Sequence, residues 1–417
     1  MRTLKRWMAG AVAAALLVPL AAHAAPKPVP RDAKVWAAAE AAHAAQLDLL
    51  KAAVNIDSGT GDVEGGRKIA ALLAPHLTAL GMTVEMVPAE APGLPDNLVA
   101  TLKGTGKARI LLIGHIDTVF EPGTAAQRPF RIEAGRALGP GVADEKGGVV
   151  EAIQALRILH DLGFKDFATL TLLAETSEER GSPGTLKLID RLVRAHDVEL
   201  NLEPGGDPDA LTVWRKGSAT FNVAVKGRAA HAGVAPQDGR NAAVELIHQL
   251  GALEGFPTSG PGLTVNLTVL KAGVRHNIIP EDGLAQINVR VLEKADFEKV
   301  EGALKARAAQ PSIPDTTVTV SRQSSFPPLP DNPQTRAIAA RAQAIYAGLG
   351  RTLGAEGSGG ASESALAAEA GTPALDGLGP VGGGFHTDGE YVDLSTLTPR
   401  LYLLTKLIMS LAKAPLR

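Results

Sequence analysis

Three apolar runs in this chain each deliver a metal-binding side chain at their carboxyl end. Ile110 to Ile113 leads into His115, Leu170 to Leu173 into Glu178-Glu179, and Val198 to Leu202 into Glu203. Short continuous apolar runs are expected of strands covered on both faces. Helical spacing appears between them, as in Val149, Ile153, Leu156 and Leu159 before Gly163. This alternation predicts an α/β fold with a large, mixed but mostly parallel sheet flanked by helices. In open α/β sheets, ligands collect beyond the carboxyl ends of the strands. Imidazoles and carboxylates at several such ends converge on one place. That place is expected to hold metal, and metal beside a spare carboxylate points to hydrolysis.

The pattern changes near Thr212. Ala219 to Val225, Leu263 to Val269, Ala285 to Val291 and Thr316 to Val320 read as strands, with helices predicted over Asn241 to Leu253 and Phe297 to Ala308. The order β-α-β-β-α-β is that of the split βαβ sandwich, an α+β ferredoxin-like unit with one open sheet face. A Pro-rich linker, Phe326 to Pro333, follows. Beyond it come a helix from Thr335, a glycine-rich turn at Gly357 to Gly360, a loop carrying His386, and a closing helix over Leu394 to Leu411. His386 has to join ligands from the first half, so the small unit reads as an insertion. The expected boundaries are 25–212 and 326–417 for the large unit and 213–325 for the inserted one.

Residues 1–24 read as a secretory leader. Arg2, Lys5 and Arg6 precede a short apolar segment from Met8 to Leu20, and Ala22-His23-Ala24 offers small residues for cleavage before Ala25. A periplasmic or secreted protein, free of the membrane after cleavage, is expected. There are no cysteines, which excludes thiolate metal sites and thiol nucleophiles. Any metal must sit on His, Asp and Glu. Aromatics are only 4% of the chain, and 42 Lys and Arg face 44 Asp and Glu, so there is no footprint for nucleic acid.

Each candidate has an ordinary reading of its own. His115-x-Asp117 is weak alone, though the Asp is placed to orient the ring from behind. Asp144, in Gly139-Pro140-Gly141-Val142-Ala143-Asp144-Glu145-Lys146-Gly147-Gly148, precedes a helix and suits an N-cap. A carboxylate there can equally bridge two metals. Glu178 and Glu179 can divide two roles, one binding metal and one moving a proton. The order and context of the set are what chance does not supply. His43, His76, His160, His196 and His248 lie in predicted helices or at their ends, without acidic company, and read as structural.

Together these motifs resemble the zinc aminoacylase/carboxypeptidase family, and most of all its secreted glutamate carboxypeptidases. The likeness runs from about Val35 to Leu411, with Gly139 to Gly148 and Ser177-Glu178-Glu179 its most specific blocks. The resemblance implies two Zn²⁺ per subunit, one on His115, Asp144 and Glu203 and the other on Asp144, Glu179 and His386. It implies Asp117 as the support of His115 and Glu178 as general base. His231, in Gly227-Arg228-Ala229-Ala230-His231-Ala232-Gly233, resembles a family residue that serves the neighbouring subunit's site, which makes the inserted unit a dimerisation domain and the protein a homodimer. Arg290 and Asn277 match the family's carboxylate-binding pair, and Lys216 is a further candidate cation. The implied activity is release of a C-terminal amino acid, glutamate in the first instance, from small peptide-like, N-acylated or folate-like substrates. An N-acyl-amino-acid deacylase or dipeptidase is the alternative, and a non-catalytic dimeric binding protein a more distant one. The family's glycine-rich turn commonly carries Thr-Asp where this chain has Ser362-Glu363, and Arg275 and His276 add charge beside Asn277. Both departures are expected to touch the substrate pocket.

Overall fold

The computed structural model describes residues 27–323 and 326–415, so the expected leader lies outside the described residues. The central sheet contains β1 (Thr83–Val87), β2 (Asn97–Lys103), β3 (Arg109–His115), β4 (Thr169–Glu175) and β5 (Val198–Asn201). Their order is β1-β2-β4-β3-β5, with the short strand Ala374–Leu375 beyond β5. The pairings from β4 through β3 and β5 to Ala374–Leu375 are parallel, and the β1 and β2 edge is antiparallel. The sheet is therefore mixed and mostly parallel, as the apolar runs predict.

β3 shows why. Ile110 and Leu112 enter one core, with α1 (Ala33–Val54), α2 (Lys146–Asp161) and α5 (Leu394–Lys413), while Leu111 and Ile113 enter a second core under the helix Leu186–Ala195. Successive strand side chains point to opposite faces, so a strand between two helical layers must be apolar throughout. All four residues are fully buried. Asp32 caps α1 and Asp62 caps the helix Val63–Thr78, accepting from Val35 N and Gly65 N, and Pro75 is accommodated near the end of the latter.

A second sheet, all antiparallel, contains β6 (Gly217–Lys226), β7 (Thr264–Ala272), β8 (Asp282–Val291) and β9 (Thr317–Arg322) in the order β7-β8-β6-β9. Phe221, Val223, Val225, Ile287 and Val289 point to its own core with α3 (Ala242–Leu250) and α4 (Ala295–Ala308). The opposite face is polar and presents Ser218, Thr220, Asn288 and Arg290. Between the sheets, Ala210–Arg215 pairs in parallel with Gly354–Ser358, two strands that sequence patterning does not pick out. Gly357 lies under the indole of Trp214, and a Cβ there would stand 1.7 Å from the ring, so only glycine fits. No described helix is long and apolar enough to cross a membrane.

Candidate metal centre and active site

β3, β4 and β5 end side by side, because Ile113 pairs with Leu173 on one side and Asn201 on the other. The turns that follow deliver His115, Glu178-Glu179 and Glu203. Asp144 arrives from the loop before α2. His386 sits at the tip of a hairpin between Gly382–Gly383 and Tyr391–Asp393, rather than in a free loop. That tip turns through Gly384 at φ +68°, and a Cβ at Gly384 would lie 2.6 Å from the Gly389 carbonyl oxygen.

The five expected metal donors come together. His115 Nε2 is 3.1 Å from Asp144 Oδ1 and 3.7 Å from Glu203 Oε1. His386 Nε2 is 3.2 Å from both Asp144 Oδ2 and Glu179 Oε2. Donors about 2.0–2.1 Å from one tetrahedral zinc ion stand about 3.3 Å apart, so these spacings fit metal coordination. Asp144 turns one oxygen to each histidine, which is the disposition of a bridging carboxylate. A further carboxylate, Glu145, lies 3.6 Å from His115 Nε2, but its Oε2 also accepts from the His115 backbone N–H at 3.1 Å.

The electrostatics follow from this crowding. Burial opposes charge on His115, but hydrogen bonds with Asp117, Asp144 and Glu203 outweigh it and hold the ring well above the usual imidazole range. His386 is pushed up to about 10 by its bonds to Asp144 and Glu179. Burial raises Glu203 to about 7, with the Asp144 carboxylate adding to the shift. Glu178 is raised well above the ordinary carboxyl range, first by burial and then, against the pull of His115, by the neighbouring Glu363, Glu203 and Glu179. Glu178 Oε2 lies 4.0 Å from His115 Nε2.

Asp117 reaches both the histidine and the paired glutamates. His115 Nδ1 lies 3.0 Å from the Asp117 carbonyl and 3.5 Å from its carboxylate. The carboxylate also accepts from the Thr60 hydroxyl at 2.6 Å, from Glu178 N at 3.1 Å and from Glu179 N at 3.3 Å. It ties the paired glutamates to the histidine turn.

A cavity of about 630 Å³ opens over the cluster between the two sheets, lined by Glu178, Glu203, His386 and, from the polar face of the small sheet, Thr220, Asn288 and Arg290. Arg290 bonds only to Asn288, through Nε at 3.1 Å, and has no acidic partner among the described residues. Glu178 is the carboxylate that acts on its charge. Lys216 is not in the lining: its Nζ donates to the Gly260 carbonyl at 2.7 Å. His231 and Asn277 are exposed and away from this cavity, though they share one patch, with His231 paired to Ile278 and Ala232 N bonded to the Asn277 carbonyl. Arg275 and His276 are exposed in the same turn. Ser362 and Glu363 do not line the cavity either; both are fully buried beneath it. Of the remaining histidines, His160 does have acidic company, Asp161 at 3.0 Å on the surface.

Two groups beneath the cluster escape sequence reasoning. Arg215 forms a two-pronged pair with Asp376, Nε to Oδ2 at 2.7 Å, and its Nη2 reaches Glu203 Oε2 at 3.4 Å. Asp376 Oδ2 also accepts from the Ser362 and Ser364 hydroxyls. Glu363 accepts from Asn201 Nδ2 at 2.9 Å, and Asn201 Oδ1 accepts from Glu203 N at 3.1 Å. Glu390, raised to about 7 by burial, accepts from Gly141, Ala143 and Asp144 N–H groups at 2.9–3.2 Å and so fixes the Asp144 loop. Only the strand-end position of Arg215 carried any signal.

A mixed α/β sheet whose strand ends hold clustered histidines and carboxylates, with a small second sheet closing a cavity over them, defines the class of metallo-exopeptidases. Residues 111–410 match Peptidase family M20/M25/M40, and the chain belongs to that family. It is similar to Carboxypeptidase G2 of Pseudomonas sp. (strain RS-16), 36% identical over 385 residues that cover 91% of this chain and 92% of that one. Succinyl-diaminopimelate desuccinylase of Xanthomonas campestris pv. campestris (strain 8004) is 28% identical over 354 residues, covering 80% and 91%. Among solved structures, a tripeptidase from Staphylococcus aureus subsp. aureus Mu50 shares the fold with a TM-score of 0.72 at 21% identity, covering 89% of this chain and 99% of that one.

Proposed function

We propose that this metallo-exopeptidase is a dizinc carboxypeptidase that cleaves an amide bond and releases a C-terminal amino acid, glutamate in the first instance, from small N-acylated substrates. His115, Asp144 and Glu203 would hold one zinc, and Asp144, Glu179 and His386 the other. When bound, such an ion pair acidifies a water and draws charge from the scissile carbonyl. Glu178 stands among these donors without a second partner of its own. Its Oε2, 4.0 Å from His115 Nε2, is placed to hold a proton at the site and pass it to the leaving amine nitrogen. Asp117 keeps Glu178 in register with His115.

The observation that carries the reading is Arg290. It is a cation without an acidic partner, on the open face of β8, in one cavity with Glu178. A guanidinium there grips the α-carboxylate of the residue being released, and a C-terminal carboxylate next to the scissile bond is what an exopeptidase must read. Burial lowers the Arg290 pKa, the mark of a charge awaiting its counter-ion. Glu356, a carboxylate that lines the same cavity from the strand Gly354–Ser358 and has no ion pair among the described residues, favours a second reading, in which the released residue is neutral or basic.

The small sheet supports a homodimer. Among the described residues, seven of the thirteen exposed large apolar side chains fall between Val234 and Ile278, including Val274 at 92% and Val234 at 78% exposure, and Val234, Val274 and Ile278 lie within three residues of His231 or Asn277 in sequence. Burying them against a second copy would carry those two residues towards a partner's cavity. The leader-like N-terminus supports a periplasmic or secreted location.

The test holds the acyl group constant. N-benzoyl-glutamate, N-benzoyl-leucine and N-benzoyl-lysine are offered to zinc-loaded protein and the free amino acid is measured. Fastest release of glutamate supports the first reading; faster release of leucine or lysine replaces it with the second. Light scattering on the active protein decides the dimer, since a fully active species of one chain's mass rules it out.

A further inference from the structure

The metal donors are not held alike. His115 and Glu203 are buried where paired strands end. His386 is exposed, and so is every other residue from Gly384 to Gly389. The strands beneath this hairpin tip are short, Gly382–Gly383 and Tyr391–Asp393. Their base is pinned to the large unit: Glu390 accepts from the Asp144 loop, and the Tyr391 hydroxyl donates to Asp207 Oδ2 at 3.0 Å. The tip above has only local bonds of its own. Thr387 N and Oγ1 donate to the Gly384 carbonyl, and Gly389 N donates to Thr387 Oγ1. His386 itself sits at φ +62°, in the left-handed region that residues other than glycine seldom adopt. Such a conformation persists only where its surroundings hold it.

One side chain reaches the tip from outside. Arg128 Nη1 donates to the Thr387 carbonyl at 3.3 Å and stands 3.1 Å from Asp388 Oδ1. Among the described residues, the tip has no other hydrogen bond or ion pair leading out of it except those of His386 to Asp144 and Glu179. Arg128 is anchored in turn. Its guanidinium carbon lies 4.7 Å from the centre of the Phe120 ring. Its backbone N–H closes the turn onto the Thr124 carbonyl at 2.8 Å. Asp57, just past α1, fixes that turn by accepting from Gly123 N at 2.9 Å and Ala125 N at 2.8 Å. Asn55 Oδ1 accepts from Phe130 N at 2.8 Å on the other side.

We propose that Arg128 is a positioning residue for the second metal site: it clips the hairpin tip so that His386 meets Asp144 and Glu179. This inference rests on the two-ion reading above. A surface ion pair alone contributes little. Here the same guanidinium also bonds the carbonyl of the residue next to His386, and the Phe120 face limits where it can go. The clip therefore acts on the backbone that carries the imidazole. His115 and Glu203 are set by strand ends and do not depend on it, so loss of Arg128 falls on one ion of the two.

The test measures zinc binding to metal-free wild type, Arg128→Ala, Arg128→Lys and His386→Ala by competition with a coloured chelator, with bound metal counted by elemental analysis. His386→Ala identifies the binding step that belongs to His386. In Arg128→Ala that step is expected to weaken about tenfold, the low end for loss of a group that orients a ligand, while the other step stays within about twofold of wild type. Arg128→Lys, which keeps a charge beside Asp388, weakens the same step less. Two unchanged steps in Arg128→Ala would overturn the proposal, because the hairpin then holds His386 unaided. Equal weakening of both steps would also overturn it, because Arg128 then supports the fold as a whole. Failure of the two-ion reading looks different: the wild type itself binds fewer than two ions, and this inference falls with it.

Discussion

Replacing Asp376 by Asn tests how Glu203, the proposed metal ligand, is held. The change keeps shape and removes one charge. Arg215 then loses its two-pronged partner and keeps only Glu203, now 3.4 Å away, as its counter-ion. Asp376 and Arg215 are both buried, at 0% and 5% exposure. Breaking one partner of a buried pair costs about 3–5 kcal/mol, and the remaining Glu203 and the serine hydroxyls place this case at the lower end. At roughly 2 °C per kcal/mol for a large domain, the melting temperature of metal-free protein falls by about 6 °C. The second consequence is specific to the site. Arg215 swings towards Glu203 and competes for the carboxylate that is to bind metal, so zinc affinity falls about 10–100-fold, the usual scale when a group supporting a ligand is lost. Competition with a coloured chelator measures the affinity, and differential scanning calorimetry with and without EDTA measures the stability. Asp376→Asn protein that melts lower yet binds zinc as tightly as wild type would refute the reasoning. Asp376 would then be an ordinary buried counter-ion, and Glu203 would be held by Asn201 alone.

Glu178→Gln should lower kcat about 10²–10⁴-fold while metal content stays at the wild-type level, as for loss of a general base; unchanged turnover would remove Glu178 from the chemistry. Arg290→Ala should cost about 1.5–3 kcal/mol of binding, roughly 10–100-fold in kcat/KM, the worth of a hydrogen bond to a charged group, and an amidated C-terminus should be insensitive to the change. Metal uptake should release protons. His386 is raised from 6.5 to about 10 by Asp144 and Glu179, so its pairing stabilises the metal-free protein fully below pH 6.5 and is lost as pH climbs towards 10. Apparent zinc affinity should therefore rise over the same window, because fewer protons compete for the donors. Calorimetric titration in buffers of different ionisation enthalpy checks this, and an affinity flat from pH 6.5 to 9 would contradict it.

The donors that the sequence reveals are those at the ends of apolar strands. His115 and Glu203 follow apolar runs whose residues are buried on both faces of the sheet. The small sheet was legible for the opposite reason: strict alternation in β6 and β8 marks one polar face, and Arg290, singled out by the family resemblance, lies on it. Arg215 ends one strand and Lys216 follows it, so the two point apart: Arg215 reaches Asp376 and Glu203 while Lys216 reaches the Gly260 carbonyl.

The residues that hold the donors in place leave no pattern of this kind. Asp117, Asp376 and Glu390 are carboxylates in turns or beside very short strands, and each reaches its target across a wide gap in sequence: 61 residues to Glu178, 161 to Arg215, 246 to Asp144. Each accepts at least two hydrogen bonds from the segment it fixes, and each is buried. A buried carboxylate costs several kcal/mol unless it is paired, so three of them so placed argue that rigidity of the donor loops is what the fold is built to provide. The layer beneath adds to the same demand. Glu145, Glu175 and Glu363 are fully buried, and each keeps one oxygen without a protein partner. Burial pushes Glu145 and Glu175 well above the ordinary carboxyl range. With Glu178 and Glu203 they crowd acidic groups around one buried histidine, and burial favours their neutral forms. Cations bound at the strand ends would favour the charged forms instead. The same reasoning puts the most sensitive positions of the site outside the set that touches metal, in acids whose only contact with the chemistry is through the backbone and side chains they restrain.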